Sequence, residues 1–354
     1  MARSSAAAGA AQARGRAGLA FSPPLWQPAL MLPAGSTVWV LTDGKAGDEM
    51  ACLGVAEALG IEPVIRRVKP RPPWSWLSPR GPVDPAERPS AEGSPIAPPF
   101  PDIVIGTGRR AIPAIRRVKA DSGGRTFTVI LKDPRIGAGA ADFLWVPEHD
   151  PLRGPNVMTT LTSPHRITPA KLAAARANSP AALASLPAPR AAILVGGDSR
   201  HLAFSDGDAR SLADRLSTLA RSGVALMGTL SRRTPPKLAE SMRRVFADNA
   251  GWLWDGTGDN PFVALLALAD AVVVTADSTN MPGEAAATGR PVLLFTPGGT
   301  GHPKHQRFLD ALRAKGVVHN FDGRLEGAPY EPINSTPAIA QAVAERFRAF
   351  RNLS

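Results

Sequence analysis

One cysteine, Cys52, stands in 354 residues, so no disulfide can close within the chain and a thiolate zinc cluster is disfavoured. A reducing compartment suits that usage, and the cytoplasm is the expected location. No run of about eighteen uninterrupted apolar residues occurs, which argues against a spanning helix. The six histidines form no H-x-x-x-H pair, so no metal site is indicated. There is no G-x-S-x-G elbow, no Walker A loop and no Rossmann G-x-G-x-x-G. No RNA or DNA module pattern appears either, and a nucleic-acid partner is not expected. The first thirty residues contain no acid, and three prolines break their apolar part, so residues 1–34 read as a flexible extension; a targeting segment is the alternative.

What is present is a large apolar fraction, 44%, enough for the cores of two domains, and a formal charge of +11. The charge favours anionic partners, whether nucleotide phosphates or acidic lipid surfaces. From residue 37 apolar strands alternate with amphipathic helices. "TVWVLTD", "EPVIRRV", "DIVIGTG", "TFTVILKD" and "FLWVP" read as strands of a first array, and "AAILVGGDS", "VALMGTLSRRT", "GWLWDG" and "ADAVVVTADS" as those of a second. The predicted fold class is α/β, with two doubly wound Rossmann-like domains facing a cleft over 35–180 and 187–335. A last helix, 336–354, is predicted to cross the domain boundary. Residues 69–101, rich in proline, are predicted to form a long surface loop that is neither helix nor inner strand.

Ligands of open α/β sheets bind beyond the carboxyl ends of strands, so the strand-to-helix loops carry the candidate chemistry. In the second array Gly196 and Gly197 would let backbone amides approach an anion, with Asp198 and Ser199 following. Ser231, Arg232, Arg233 and Thr234 offer two guanidiniums to phosphate oxygens. Asp277, Ser278, Thr279, Asn280 and Met281 open a helix that carries Glu284 about one turn in. Together these loops describe a pocket for a phosphorylated ligand. In the first array Gly44, Lys45 and Gly47 can receive an anion, and Asp43, Asp48 or Glu49 could serve as general base. Each loop also has a plainer reading: the acids and hydroxyls suit helix capping, and the arginines a solvated surface. His302 and His305 lie on a glycine-rich loop that could reach the cleft. Arg66, Arg67, Lys69 and Arg71 beside Trp74 and Trp76 would suit an anionic membrane surface, or the tryptophans could cover the first core.

In order, "TDGKAGDE", "VGGDSRHLAFS", "LSRRTPP", "WDGTGDNPF", "ADAVVVTADSTNMPGEAAATGRPVLLF" and "KHQRFLDALRAKGVV" resemble the mitochondrial fission factor family named for elongated plant mitochondria, which has many bacterial members. The resemblance runs from about Trp39 to Val318, and the composition is that of a bacterial chain. The family is similar to GT-B glycosyltransferases, in which the second domain holds a nucleotide sugar. That likeness implies Glu284 on the ribose, Gly196 to Ser199 and Ser231 to Arg233 on the diphosphate, and Asp43 to Glu49 on the acceptor side. It implies no tightly bound cofactor and no metal, a nucleotide sugar of UDP type as substrate, and an envelope or lipid-linked acceptor. The family pattern reads Gly-His-Glu-Asn-Gln where this chain has Gly47, Asp48, Glu49, Met50 and Ala51, so a carboxylate replaces the histidine. A membrane-peripheral adaptor that keeps the fold without catalysis is the alternative.

Overall fold

The computed structural model describes residues 32–199, 202–298 and 302–352. The extension expected over 1–34 therefore lies almost wholly outside the described residues. The first domain runs β1 (Val38–Thr42), α1 (Ala46–Ala58), β2 (Val64–Arg67), α2 (Trp74–Leu77), β3 (Ile103–Gly106), α3 (Ile112–Asp121), β4 (Phe127–Leu131), β5 (Phe143–Pro147) and β6 (Val157–Thr160). After α4 (Pro169–Ala177) and α5 (Ala181–Ala184), the second sheet begins: β7 (Arg190–Val195), α6 (Asp206–Arg221), β8 (Ala225–Leu230), α7 (Pro236–Asp248), β9 (Trp252–Leu253), α8 (Phe262–Leu268) and β10 (Ala271–Thr275). It ends with α9 (Asn280–Ala286), β11 (Val292–Phe295), α10 (Pro303–Ala314), β12 (Val318–Asn320) and the C-terminal α11 (Thr336–Phe350).

Both sheets have six strands, ordered β2-β1-β3-β4-β5-β6 and β12-β11-β10-β7-β8-β9. Every pairing is parallel. Their apolar runs are continuous because both faces are covered. Val38 and Val40 enter one core layer, Trp39 and Leu41 the other; Val272 and Val274 oppose Val273 in the same way. Strand order reverses between β1 and β3 in the first sheet and between β10 and β7 in the second. Those reversals open the crevices in which doubly wound sheets hold ligands.

Two crossings join the domains side by side. Thr162 and Ser335 share a hydroxyl hydrogen bond of 2.8 Å, the Thr336 hydroxyl accepts from His165 N (2.9 Å) and donates to its carbonyl (3.0 Å), and Asn334 donates to the Ile167 carbonyl. Beyond this seam α11 returns to the first domain, where Ile339, Val343 and Phe347 join Cys52, Val55 and Leu59 of α1 in one core. The boundary drawn at 180 moves forward, because Ile167, Leu172 and Leu183 pack into the second domain's core and carry α4 with them.

The loop over 69–101 is a packed segment rather than a plain surface loop. It holds α2 and a short 3-10 turn at Pro85–Glu87, and it buries Val83 and Ile96. Its organiser is Asp84, which accepts from the backbone and guanidinium of Arg71 and from Ala86 N. The Arg71 guanidinium holds that carboxyl far below the usual carboxylate range.

Candidate functional site

The three second-domain loops meet at the β7–β10 reversal, and they meet through one another's polar groups. Asp277, its side chain wholly buried, is the centre. It accepts from the Thr275 hydroxyl (2.7 Å), from Gly197 N (3.2 Å) and from the Arg233 guanidinium (3.3 Å). Thr275 in turn accepts from Gly196 N at 2.8 Å, and the Thr234 hydroxyl donates to the Gly196 carbonyl at 2.6 Å. A Cβ on Gly196 would stand 2.0 Å from Asp277 Oδ1, so only glycine lets this carboxylate sit on the strand end. The expectation that the Gly196 and Gly197 amides await an anion is thereby corrected: Thr275 and Asp277 already take them. Ser231 accepts from Arg233 N, Arg233 also donates to the Asp198 carbonyl, and the exposed Asp198 caps Phe204 N. Ser199 N donates to the Leu202 carbonyl, and Met281 packs on the core. The loops thus form a rigid floor.

Arg232, Ser278, Asn280 and Glu284 belong to the same loops and to α9, and of this stretch only Thr279 lines the cleft itself. The exposed Arg232 has no partner among the described residues, whereas Arg233 is spent on Asp198 and Asp277. Asn280 reaches toward the first domain: a Cβ on Gly47 would lie 2.8 Å from its Nδ2, so the first turn of α1 needs glycine to come this close. Glu284 lies four residues on, hence on the same face of α9. Its carboxyl is only partly exposed and has neither a hydrogen bond nor an ion pair among the described residues; desolvation pushes its pKa up to about 7.

On the first-domain side the cleft measures about 740 Å³. Asp43, Lys45 and Asp48 line it, and the Asp43 and Asp48 carboxyls both border Gly108. Asp43 Oδ2 accepts from Lys45 Nζ at 2.8 Å, while its buried Oδ1 has no partner. Asp48 is held by Lys132 at 2.5 Å. Glu49 is not brought to the cleft: Arg67 donates to both of its oxygens at 2.8 and 2.7 Å and Thr42 to one, which lowers its pKa, so its role is structural. Gly44, in a left-handed turn with φ +81°, donates to the Thr42 hydroxyl.

Across the opening lie Thr279, His302, Lys304 and His305, joined by Thr107, Arg109, Arg110, Lys132, His149 and Asp150, none of which the sequence singled out apart from Thr279, His302 and His305. Lys304 pairs with Asp150 and Arg307 donates to the His149 carbonyl, two further ties between the domains. Burial lowers the His149 pKa. Lys132 could not be read from sequence because its signal is conformational: it holds φ +82°, a rare state for a lysine, at the end of β4.

A family model described as mitochondrial fission ELM1 matches residues 46–347. Mitochondrial fission protein ELM1 of Arabidopsis thaliana is 28% identical over 278 residues, covering 70% of this chain and 64% of that protein. The uncharacterized protein RP120 of Rickettsia prowazekii (strain Madrid E) is 26% identical over 160 residues, covering 43% and 45%. The matched stretches therefore span less than two thirds of these relatives' lengths. Among solved structures, a putative UDP-N-acetylglucosamine 2-epimerase from Listeria monocytogenes superposes with a TM-score of 0.54 at 13% identity, covering 90% of this chain and 98% of that one. S. aureus MnaA, solved with UDP, gives 0.51 at 10% identity with the same coverage. At such identities the likeness concerns the fold, which is GT-B-like. Since the match begins at the first residue of α1 and ends on Phe347 of α11, taking in both sheets but for β1, the chain belongs to the mitochondrial fission ELM1 family.

Proposed function

We propose that the protein binds a nucleotide sugar of UDP type on the second domain's side of the cleft and transfers the sugar to an acceptor hydroxyl on the first. The observation that carries this reading is Glu284. A desolvated carboxyl without a protein partner, beside a strand reversal and on the helix face that approaches the opposite domain, is suited to accept hydroxyl groups of a ribose. Arg232 is the free guanidinium for the diphosphate. Asp277, Gly196, Gly197 and Arg233 hold the floor on which both stand. The UDP complex of the fold neighbour MnaA adds support for the base.

In the transfer, the acceptor oxygen forms a bond to the anomeric carbon as the bond from that carbon to the diphosphate oxygen breaks. The acceptor proton passes to Asp43, whose Oδ1 is uncommitted, and the departing charge is stabilised by Arg232 and the lysines bordering the cleft. Titration calorimetry with UDP and UDP-N-acetylglucosamine tests the reading. Binding is expected in the full chain, to weaken at least tenfold in Glu284→Ala and in Arg232→Ala, and to persist in Asp43→Asn, which blocks turnover alone. Heat from no nucleotide or nucleotide sugar would refute it. Binding without turnover toward any acceptor hydroxyl would favour the adaptor reading.

A further inference from the structure

Three of the four basic residues that the sequence places beside the two tryptophans are engaged within the protein. Arg67 grips Glu49, Arg71 grips Asp84, and the Arg66 guanidinium lies over the Trp39 ring at 4.6 Å. A separate group of exposed arginines gathers on another face of this domain. Arg80, Arg116 and Arg135, all exposed, line a second concavity of about 500 Å³ together with the loop from Ile136 to Ala140. Among the described residues no carboxylate forms an ion pair with any of the three. The Arg80 guanidinium donates to the Arg135 carbonyl at 3.2 Å. Arg135 itself holds φ +61°, and its amide donates to Asp133 Oδ1 at 2.7 Å. This left-handed arginine, a sparsely populated backbone state, stands on the rim between the concavity and the cleft and lines both.

Helix α2 is pinned beside these arginines. Ser75 O accepts from Arg109 Nη2 at 2.7 Å, and Arg80 N donates to Leu77 O at 3.1 Å. That leaves Trp76 71% and Leu77 53% exposed, the two most exposed large apolar side chains among the described residues. An aromatic and an aliphatic side chain in water next to unpaired guanidiniums form an amphipathic face. On a chain of charge +11 it complements a surface that is anionic outside and apolar beneath.

We propose that this face docks on a bilayer bearing acidic phosphate headgroups, Arg80, Arg116 and Arg135 taking the phosphates and Trp76 and Leu77 entering the interfacial layer. Because Arg135 also lines the cleft, docking sets the first domain's side of the opening against the bilayer. On the function proposed above, the acceptor then arrives as a bilayer-borne molecule; the docking itself does not depend on that reading.

Sedimentation of the full chain with phosphatidylglycerol–phosphatidylcholine vesicles, against pure phosphatidylcholine, tests it. Salt-sensitive binding to the acidic vesicles alone is expected. Partitioning should drop about fivefold for each of Arg80→Ala and Arg116→Ala, and about tenfold for Trp76→Ser. Arg243→Ala, an exposed arginine of α7, should leave it unchanged. Wild-type partitioning by the double arginine variant or by Trp76→Ser would overturn the docking, as would an equal loss in Arg243→Ala. So would calorimetric binding of inorganic diphosphate, abolished by Arg116→Ala, in a protein that ignores the vesicles. Nucleotide binding measured in parallel separates this result from the fate of the proposed transfer.

Discussion

Glu284 and Asp277 are two carboxylates seven residues apart that meet opposite fates. Asp277 is wholly buried but saturated by donors, so it serves as a fixed strut; Glu284 is desolvated and alone. Its pKa of about 7 against an ordinary 4.5 has a definite sign. Below 4.5 both folded and unfolded chains keep the proton. Between 4.5 and about 7 the unfolded chain loses it first, so stability falls as pH rises, and above 7 the loss is complete. Glutamine carries no such cost. Glu284→Gln is therefore expected to be more stable than the parent by about 1 to 2 kcal/mol at about pH 8, a figure reduced for the partial exposure, and to match it at about pH 4.5. Thermal melts across that range check this, and a constant difference at all pH values would remove desolvation as the cause. On the proposed function, the same substitution is also expected to weaken UDP binding, a trade of stability against function.

At the scale of elements, the seam between the domains hangs on His165. It is buried, its Nδ1 accepts from Ile167 N at 3.2 Å, its Nε2 has no partner, and burial lowers its pKa from 6.5 to about 4. Here the unfolded chain takes a proton first as pH falls through 6.5, so stability is lost between 6.5 and about 4. A loss of about 2 kcal/mol between roughly pH 7 and pH 5 is expected in urea titrations, and a much flatter dependence in His165→Asn. Strands such as Val38–Thr42, Phe127–Leu131 and Ala271–Thr275 were legible in the sequence because burial on both faces leaves an unbroken apolar run. The loops at the two reversals were legible because small and polar residues follow those runs directly. Which group faces the cleft was not legible. The partner of Glu49 is Arg67, eighteen residues away, and the partners of Asp277 come from β7 and β8 loops, pairings that only the tertiary fold decides. The proline-rich segment misled for a related reason: proline forbids long regular elements, yet Val83 and Ile96 still find a core.

For the molecule as a whole, the chain's last helix stabilises its first domain. Phe347 is 1% exposed, sits 5.9 Å from the Phe127 ring in an edge-on contact, and shares its core with α1. Any opening of the first domain must therefore strip α11 from α1, and the seam at Thr162, His165 and Thr336 ties that event to the second domain through a few hydrogen bonds, beside the Lys304–Asp150 and Arg307–His149 contacts across the cleft. Two cores joined in this way are expected to unfold as unequal partners. Phe347→Ala removes a buried ring and is expected to destabilise the first domain by about 3 kcal/mol. Hydrogen exchange resolved along the chain should rise across β1, α1, β3 and β4, and remain as in the parent across β7, β10 and β11. If the second domain binds nucleotide as proposed, that affinity should change far less than stability. Equal acceleration in both sheets would mean that the two domains form one cooperative unit, and the cleft between them would then be a fixed groove rather than a hinged one.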